Sequence, residues 1–284
     1  MTIIKEPGLS ANYETGPSLF RGVGMMVIQS ACKLIILGAL GLFVYGIAWN
    51  FSTRRYLTGF ADAIIPLAGS PQEKTEALLG WFHDEPQRND SPASGSEGLL
   101  HDRDAVNIVQ NTRLLKVCGS ASNAFMNLAD ASGLKVRRLL LLDHSGGTMH
   151  VVAEVLWGDR WIVVNPQQGL MFKDHLGRAL TKEELRNPEV FQDAISMMPG
   201  YDPTYTFDHT IHLRLERIPI LGSYLRRLLD RLAPRWEESI NWSYFPENPA
   251  LWLMFISLPL LLLGVLGNLI ANRKGRHQSD ADLK

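Results

Sequence analysis

Three residues near the middle of the chain have the types and the spacing of a thiol-based catalytic centre. Cys118 precedes a predicted helix, His150 begins a predicted strand, and Asn165 ends the strand after it. A thiol attacks as its thiolate, and a helix N-terminus favours that charged form. An imidazole can take the thiol proton while an amide holds the imidazole in orientation. The pattern therefore predicts Cys118 as nucleophile, His150 as base and Asn165 as the residue that orients the base.

A predicted β-hairpin brings the base and its orienting residue together. If Gly158 and Asp159 form a two-residue loop, Val152 pairs with Asn165. His150 and Val152 share a face because strand side chains alternate, so Asn165 becomes a diagonal neighbour of His150 within hydrogen-bonding reach. A cysteine taken alone is more often a small buried side chain than a nucleophile, so the prediction of chemistry depends on this relation.

The polar and aromatic side chains around these residues have structural interpretations. Glu154, on the same face as the base, is interpreted as a hydrogen-bonded structural carboxylate. Trp157 and Trp161 favour packing over a substrate-binding role. An oxyanion hole needs the backbone N–H of the nucleophile and one further donor. Asn111 and Arg113 qualify for that second position only by their proximity in sequence.

Composition excludes several other classes of function. The net charge of −1 gives no support for a nucleic-acid partner. The chain has two cysteines, which cannot form a disulfide framework. Phosphate loops and dinucleotide fingerprints are absent from the sequence, and we expect no cofactor. Four other histidines have no spacing that predicts a metal site, namely His144, His175, His209 and His212.

The stretch from about Asp104 to Gly169, about a quarter of the chain, resembles the transglutaminase-like (transglutaminase/papain-related cysteine peptidase) superfamily. The matching pieces are V-C-G-S-A-S-N-A-F, G-L-K-V-R-R-L, M-H-V-V-A-E-V and G-D-R-W-I-V-V-N-P. The resemblance implies an α+β fold in which a helix bearing the cysteine packs on an antiparallel sheet. It implies that Cys118 is the nucleophile, that His150 is the base, and that Asn165 occupies the third position.

The chain departs from this family at two places. The third residue is usually an aspartate before proline, whereas here it is Asn165, as in papain-type peptidases. An amide can orient an imidazole but supplies no negative charge to stabilise the imidazolium. Asp143 or Asp159 could compensate, although Asp159 is more simply a turn residue. Val151-Val152 replaces the small residue and tryptophan that often follow the histidine, which would reshape the substrate groove.

Two apolar segments predict a membrane protein with two spans. Each segment, 23–49 and 250–271, is long enough to cross a hydrocarbon layer of roughly 30 Å. Lys33 interrupts the first and could snorkel toward the N-terminal face. A cleaved signal peptide is the rival interpretation of this segment. We favour a retained anchor because a signal's apolar region would be shorter and no typical cleavage site follows Trp49.

Charges and aromatics predict the topology. Arg273, Lys274 and Arg276 follow the second span, which places both termini in the cytoplasm and the central domain outside. Arg54 and Arg55, on the outer side, are a mild conflict with this orientation, and a cytoplasmic central domain is the alternative. Aromatic residues that would form an outer interfacial belt are Trp49, Phe51, Tyr56, Trp242, Tyr244, Phe245 and Trp252.

The sequence between and beyond the spans divides by composition and pattern. The predicted order is a tail (1–22), the first span (23–49), a helical linker region (50–100), a transglutaminase-like domain (101–210), an amphipathic juxtamembrane region (211–249), the second span (250–271) and a cytoplasmic tail (272–284).

Two functions are expected from this organisation. The first is a peptidase, amidase or acyltransferase anchored in a bacterial inner membrane, acting outside the cytoplasm on an amide bond of a protein or peptide through Cys118, His150 and Asn165. The second is a catalytically silent domain that binds partners in an envelope or polysaccharide-export complex. The amide at Asn165 and the two membrane anchors motivate this alternative.

Overall fold

A computed structural model describes residues 16–88, 103–215, 222–233, 236 and 248–282. The chain divides into two compact units, one made of Met1–Ile47 with Leu253–Lys284 and the other of Ala48–Trp252. Residues 1–15 of the predicted tail, residues 89–100 of the predicted helical linker region, and Trp242, Tyr244 and Phe245 of the predicted aromatic belt lie outside the described residues.

The described residues contain the helices and the antiparallel sheet expected of an α+β protein. In chain order the elements are α1 (Gly16–Ile64), α2 (Pro71–Arg88), α3 (Ala105–Gln110), a 3₁₀ turn (Thr112–Lys116), α4 (Cys118–Ala131), β1 (Val136–Leu142), β2 (Thr148–Trp157), β3 (Arg160–Asn165), β4 (Leu170–Met171), α5 (Lys182–Leu185), α6 (Pro188–Ser196), β5 (Thr210–Ile211), α7 (Gly222–Leu232) and α8 (Pro249–Asp282).

Two helices, near the N- and C-termini, are long and apolar enough to cross a membrane. The qualifying segments are Met26–Ile64 of α1 and Pro249–Lys274 of α8. Their surfaces are largely exposed apolar side chains, as expected of helices that face lipid. These two helices are consistent with a two-pass membrane protein.

The five-stranded sheet has the order β4-β3-β2-β1-β5. The predicted hairpin register is confirmed, since Trp157 pairs with Arg160 across a Gly158-Asp159 turn in which Gly158 has a φ of +62°. Continued by one pair beyond Ala153–Val164, this register sets Asn165 opposite Val152. A register shift between β1 and β2 falls beside His150.

Alternation along the strands gives the sheet two buried faces. On the first face, Ala153 and Val155 pack in one core with side chains of α2, α3, α4 and the C-terminal part of α1. On the second, Val152 and Val163 pack with Phe172 and residues of α6 and the following loop. The core of this unit thus also includes residues from the region 50–100.

Helix boundaries follow local capping chemistry. The sequence has the pattern of a capping box at Ser70-Pro71 with Glu73 and at Thr181 with Glu184, which predicts a helix start at each place. Both are confirmed, since in each pair the two residues bond each other's backbone N–H. Pro86 predicts that the first of these helices ends near Phe82, but α2 continues to Arg88. A proline in the last turn removes one hydrogen bond, which this helix tolerates.

Candidate functional site

Cys118 is the first residue of α4, where backbone N–H groups have no partners within the helix. Val117 precedes it as the N-cap, and no side chain accepts from the first-turn N–H groups at this cap. The Cys118 side chain is partly exposed. A Cβ built on Gly119 would meet open space. An acyl group could therefore approach the thiol and these donors from outside.

Two hydrogen bonds tie the start of α4 to the strands that carry the other candidate residues. Ser122 lies one turn after Cys118, and its Oγ donates to the carbonyl oxygen of Val151 over 3.0 Å. Gln167 Nε2, in the turn after β3, donates to the carbonyl oxygen of Lys116 over 2.8 Å. The backbone around Cys118 is thus held beside both β2 and the turn after β3.

His150 is buried under aromatic rings. Its side chain is 3% exposed, and its ring stacks on Tyr205 with centroids 4.8 Å apart and planes 11° from parallel. Tyr201 meets the imidazole edge-on, and its hydroxyl donates to the Tyr205 carbonyl oxygen. Burial lowers the pKa of His150 to about 4, while a hydrogen bond with Asn165 and the charge of Asp202 act to raise it. The His150 imidazole is therefore uncharged at neutral pH.

Asn165 lies beside His150, as the register predicts. Its Nδ2 donates to Gln168 Oε1 over 3.0 Å, and Gln168 Nε2 donates to the carbonyl oxygen of Pro199 over 3.3 Å. Asn165 Oδ1 and His150 Nε2 are both buried, and neither makes a hydrogen bond of ordinary geometry. The Asn165 side chain acts to raise the His150 pKa, so the two side chains are neighbours.

The thiol itself is not joined to the imidazole in this arrangement. Within the described residues, no hydrogen bond connects Cys118 Sγ with the His150 ring. Helix α4 packs on the first face of the sheet, whereas His150 and Asn165 belong to the second. Catalytic hydrogen bonds in unliganded enzymes are often long and tighten only with substrate. The structure thus brings His150 and Asn165 together and holds the Cys118 backbone near them.

Glu154 takes part in a buried charge network. Its Oε2 accepts from Arg137 Nε over 2.7 Å and from His212 Nε2 over 2.8 Å, and the Arg137 guanidinium lies 4.0 Å from the Trp161 ring centroid. Burial acts to raise the pKa of Glu154, but the bonds from His212 and Arg137 outweigh it and hold the pKa low. The structural interpretations of Glu154 and Trp161 agree with these contacts.

The carboxylate whose charge raises the His150 pKa is neither Asp143 nor Asp159, the two that the sequence suggests. Asp143 accepts from Ser145 and Gly147 in its own turn, and these bonds lower its pKa. Asp202 instead supplies the negative charge that acts on His150. Asn111 and Arg113 are the two candidates for the second oxyanion-hole donor. Their side chains bond each other, since Arg113 Nε donates to Asn111 Oδ1.

Several neighbours of the site were not found by sequence reasoning. Gln168 could have been noticed, because N-P-Q-Q-G predicts a β-turn that returns position 168 to Asn165. Tyr201, Tyr205 and Asp202 carry no such local signal, since they lie far along the chain and meet His150 only in the folded state.

A pocket of about 530 Å³ lies between α2, β4 and α6. Its apolar floor includes Leu79, Met171 and Met198, and its lining contains none of the three candidate catalytic residues. In the described part of the chain, no group of three His, Cys, Asp or Glu residues could hold a metal ion.

Comparisons of the chain with known protein families, with curated proteins and with solved structures return no match. The functional argument therefore depends on the residues and contacts described above.

Proposed function

We propose that the protein is a membrane-anchored, transglutaminase-like cysteine enzyme that transfers acyl groups from amide bonds. Its substrate is a protein or peptide amide, and the acyl acceptor is water or an amine. Cys118 is the nucleophile, His150 the base and Asn165 the residue that orients the base.

The observation that supports this proposal is the convergence of three separate segments. His150 and Asn165 are buried neighbours, and each has a buried polar atom without a hydrogen bond, Nε2 of the imidazole and Oδ1 of the amide. The start of α4 is bonded to both of their segments through Ser122 and Gln167. An N-terminal helical turn without a side-chain cap would favour a thiolate at its first residue.

The reaction follows from these positions. His150 takes the proton of the Cys118 thiol, and the thiolate sulfur bonds to the amide carbonyl carbon. The tetrahedral oxyanion accepts hydrogen bonds from N–H groups of the first turn of α4. The C–N bond then breaks, the amine leaves with the proton held by His150, and a thioester remains. Water or an amine, deprotonated by His150, attacks the thioester and releases the acyl product and the thiol.

Labelling with an amide-mimicking electrophile tests the nucleophile. The full chain in detergent should be labelled at one cysteine, and Cys118→Ala should abolish the label. His150→Ala should slow labelling by about a hundredfold, the typical contribution of a general base. Cys32→Ala is the matched control because it removes the only other cysteine and should leave labelling unchanged. Equal labelling of wild type and Cys118→Ala would contradict the assignment.

We also propose that both termini are cytoplasmic and that the central domain lies outside the cytoplasm of a bacterial inner membrane. The positive charges after the second span support this orientation. A reporter active only in the cytoplasm, fused after Lys284, should give signal. A signal from an extracytoplasmic reporter at the same point would instead favour the opposite orientation.

A catalytically silent binding domain is the second candidate. What favours it is the enclosure of His150 beneath Tyr205 and the lack of a hydrogen bond between its ring and Cys118 Sγ. In this case a Cys118→Ala strain would retain the cellular function of the protein, whereas the enzyme hypothesis requires that function to be lost.

A further inference from the structure

Gln168, in the turn after β3, is bonded to Asn165 through its side chain. Its Oε1 accepts from Asn165 Nδ2, its Nε2 donates to the Pro199 carbonyl oxygen, and its own carbonyl oxygen contacts His83 Nδ1 at 3.2 Å. Both ends of the side-chain amide and the main-chain carbonyl oxygen therefore have partners. Gln168 joins the turn after β3 to α2 and to the loop after α6.

The Pro199 carbonyl fixes the direction of every amide in this chain of hydrogen bonds. A carbonyl oxygen can only accept, so the Gln168 end that faces it must be the NH₂ group. The oxygen of Gln168 must then face Asn165, which must present its own NH₂ group to it. The Asn165 oxygen is left as the atom that faces elsewhere, and it is buried without another partner.

We infer that Gln168 is a positioning residue that sets the tautomer of His150 through Asn165. This role pairs the two buried atoms that have no hydrogen-bond partner, the Asn165 oxygen and His150 Nε2. An amide oxygen can only accept, so it favours a proton on Nε2. The lone pair then resides on Nδ1, which becomes the atom available to take the thiol proton. If the Asn165 NH₂ group faced Nε2 instead, it would oppose the Nε2–H donor. The tautomer with its proton on Nδ1 would then be favoured. This inference rests on the proposed function for its catalytic meaning.

The His150 tautomer can be measured without any reaction. In the full chain labelled with ¹⁵N-histidine in lipid nanodiscs, the His150 nitrogen shifts should report a proton on Nε2. Gln168→Leu removes both side-chain bonds and should give a mixture of tautomers or the Nδ1–H form. Gln168→Glu keeps an acceptor for Asn165 but loses the donor to Pro199, so it should retain the Nε2–H tautomer while loosening the loop after α6.

The adjacent glutamine provides a matched control. Gln167 contacts Lys116 instead of Asn165, so Gln167→Leu should leave the His150 tautomer as in wild type. Reaction of Cys118 with the electrophile should slow in Gln168→Leu in proportion to the loss of the competent tautomer, by about twofold for an equal mixture and about tenfold if nine-tenths of His150 becomes Nδ1–H.

The outcomes of these measurements test the positioning role of Gln168 separately from the proposed enzyme activity. An Nδ1–H tautomer in the wild type, or an unchanged Nε2–H tautomer in a folded Gln168→Leu variant, would overturn the role of Gln168. If Gln168→Leu does not fold, an Nδ1–H tautomer in a folded Gln168→Glu variant would overturn the amide argument, because that variant keeps the acceptor for Asn165 Nδ2. A tautomer that follows Gln168 in a protein whose Cys118 never reacts would instead refute the enzyme and leave the positioning inference standing.

Discussion

At the scale of single residues, the burial of His150 has a measurable cost at low pH. The folded chain holds the His150 pKa at about 4, below the ordinary value of 6.5. Between these values the unfolded chain binds the proton more readily, so the free energy of unfolding should fall as pH falls from about 6.5 to about 4. The full effect of this one residue would be up to about 3 kcal/mol.

This pH effect is isolated by comparing wild type with His150→Gln. Thermal unfolding of both proteins, followed by near-ultraviolet circular dichroism between pH 4 and pH 7, should show a steeper loss of stability in the wild type. Equal pH slopes would mean that His150 is more solvated than its 3% exposure indicates.

Asn165 offers a second test at this scale, because an aspartate at its position would supply the negative charge that the amide lacks. Asn165→Asp places a negative charge beside the imidazole and should raise the His150 pKa above about 4. Asn165→Ala removes the hydrogen bond that raises this pKa and should lower it. Proton NMR titration of the His150 ring measures both shifts. A common direction of change in the two variants would contradict the contact between these residues.

At the scale of elements, Gly169 holds the turn after β3 against α2. Its φ is +63°, and a Cβ there would overlap the His83 backbone. Gly158, in the β2–β3 turn, has a similar φ of +62° but open space around it. Gly158→Ala should therefore cost only about 1 kcal/mol of unfolding free energy for the left-handed backbone conformation. Gly169→Ala should cost clearly more, because the turn must also move away from α2.

The two alanine variants separate backbone strain from displacement of the site. Denaturant unfolding gives their stabilities, and the labelling rate of Cys118 reports the site, since the Gly169 turn carries Gln167 and Gln168. Gly169→Ala should slow labelling while Gly158→Ala should not. Equal losses of stability in both variants would show that the contact with α2 is unimportant.

Sequence reasoning succeeded where a short-range rule applies. The Gly158-Asp159 turn set the hairpin register, and that register set Asn165 beside His150. Capping boxes located the starts of α2 and α5. The burial of His150 could not be predicted this way, because Tyr205 and Tyr201 come from a distant loop whose position depends on packing of the second sheet face. For the same reason, the hairpin register gave no information on how closely Cys118 approaches the imidazole.

At the scale of the whole molecule, the unit formed by the two terminal segments contains a close contact between the apolar helices. Gln29 Nε2 donates to Asn272 Oδ1 over 3.1 Å. A Cβ on Gly264 would lie 2.9 Å from an Ile36 side-chain carbon, and one on Gly267 would lie 2.9 Å from Cys32 Sγ. Small residues at such positions let helices in a membrane approach closely, and a hydrogen bond between polar side chains adds to the attraction.

The contact between Cys32 and Gly267 can be tested by cross-linking. In a disulfide, the Cβ of one cysteine lies about 3 Å from the sulfur of the other, as follows from an S–S bond of about 2.05 Å. The 2.9 Å distance matches this requirement. Gly267→Cys in a Cys118→Ala background should therefore form an intramolecular disulfide with Cys32 under mild oxidation. Leu269→Cys is the control, because position 269 is on the same helix as Gly267 but about 200° around its axis, and the Leu269 side chain is exposed.

Cleavage of the chain by a protease between the two spans shows whether this cross-link has formed. With Gly267→Cys, the two membrane fragments should stay joined until a reductant is added, because the disulfide connects α1 to α8. With Leu269→Cys they should separate at once, because that side chain is on the opposite side of α8 from Gly267. Joined fragments in both variants would indicate random collision of thiols in the bilayer, and separated fragments in both would mean that the two helices do not pack through Gly267. Only the first pattern supports a fixed helix pair as the membrane anchor.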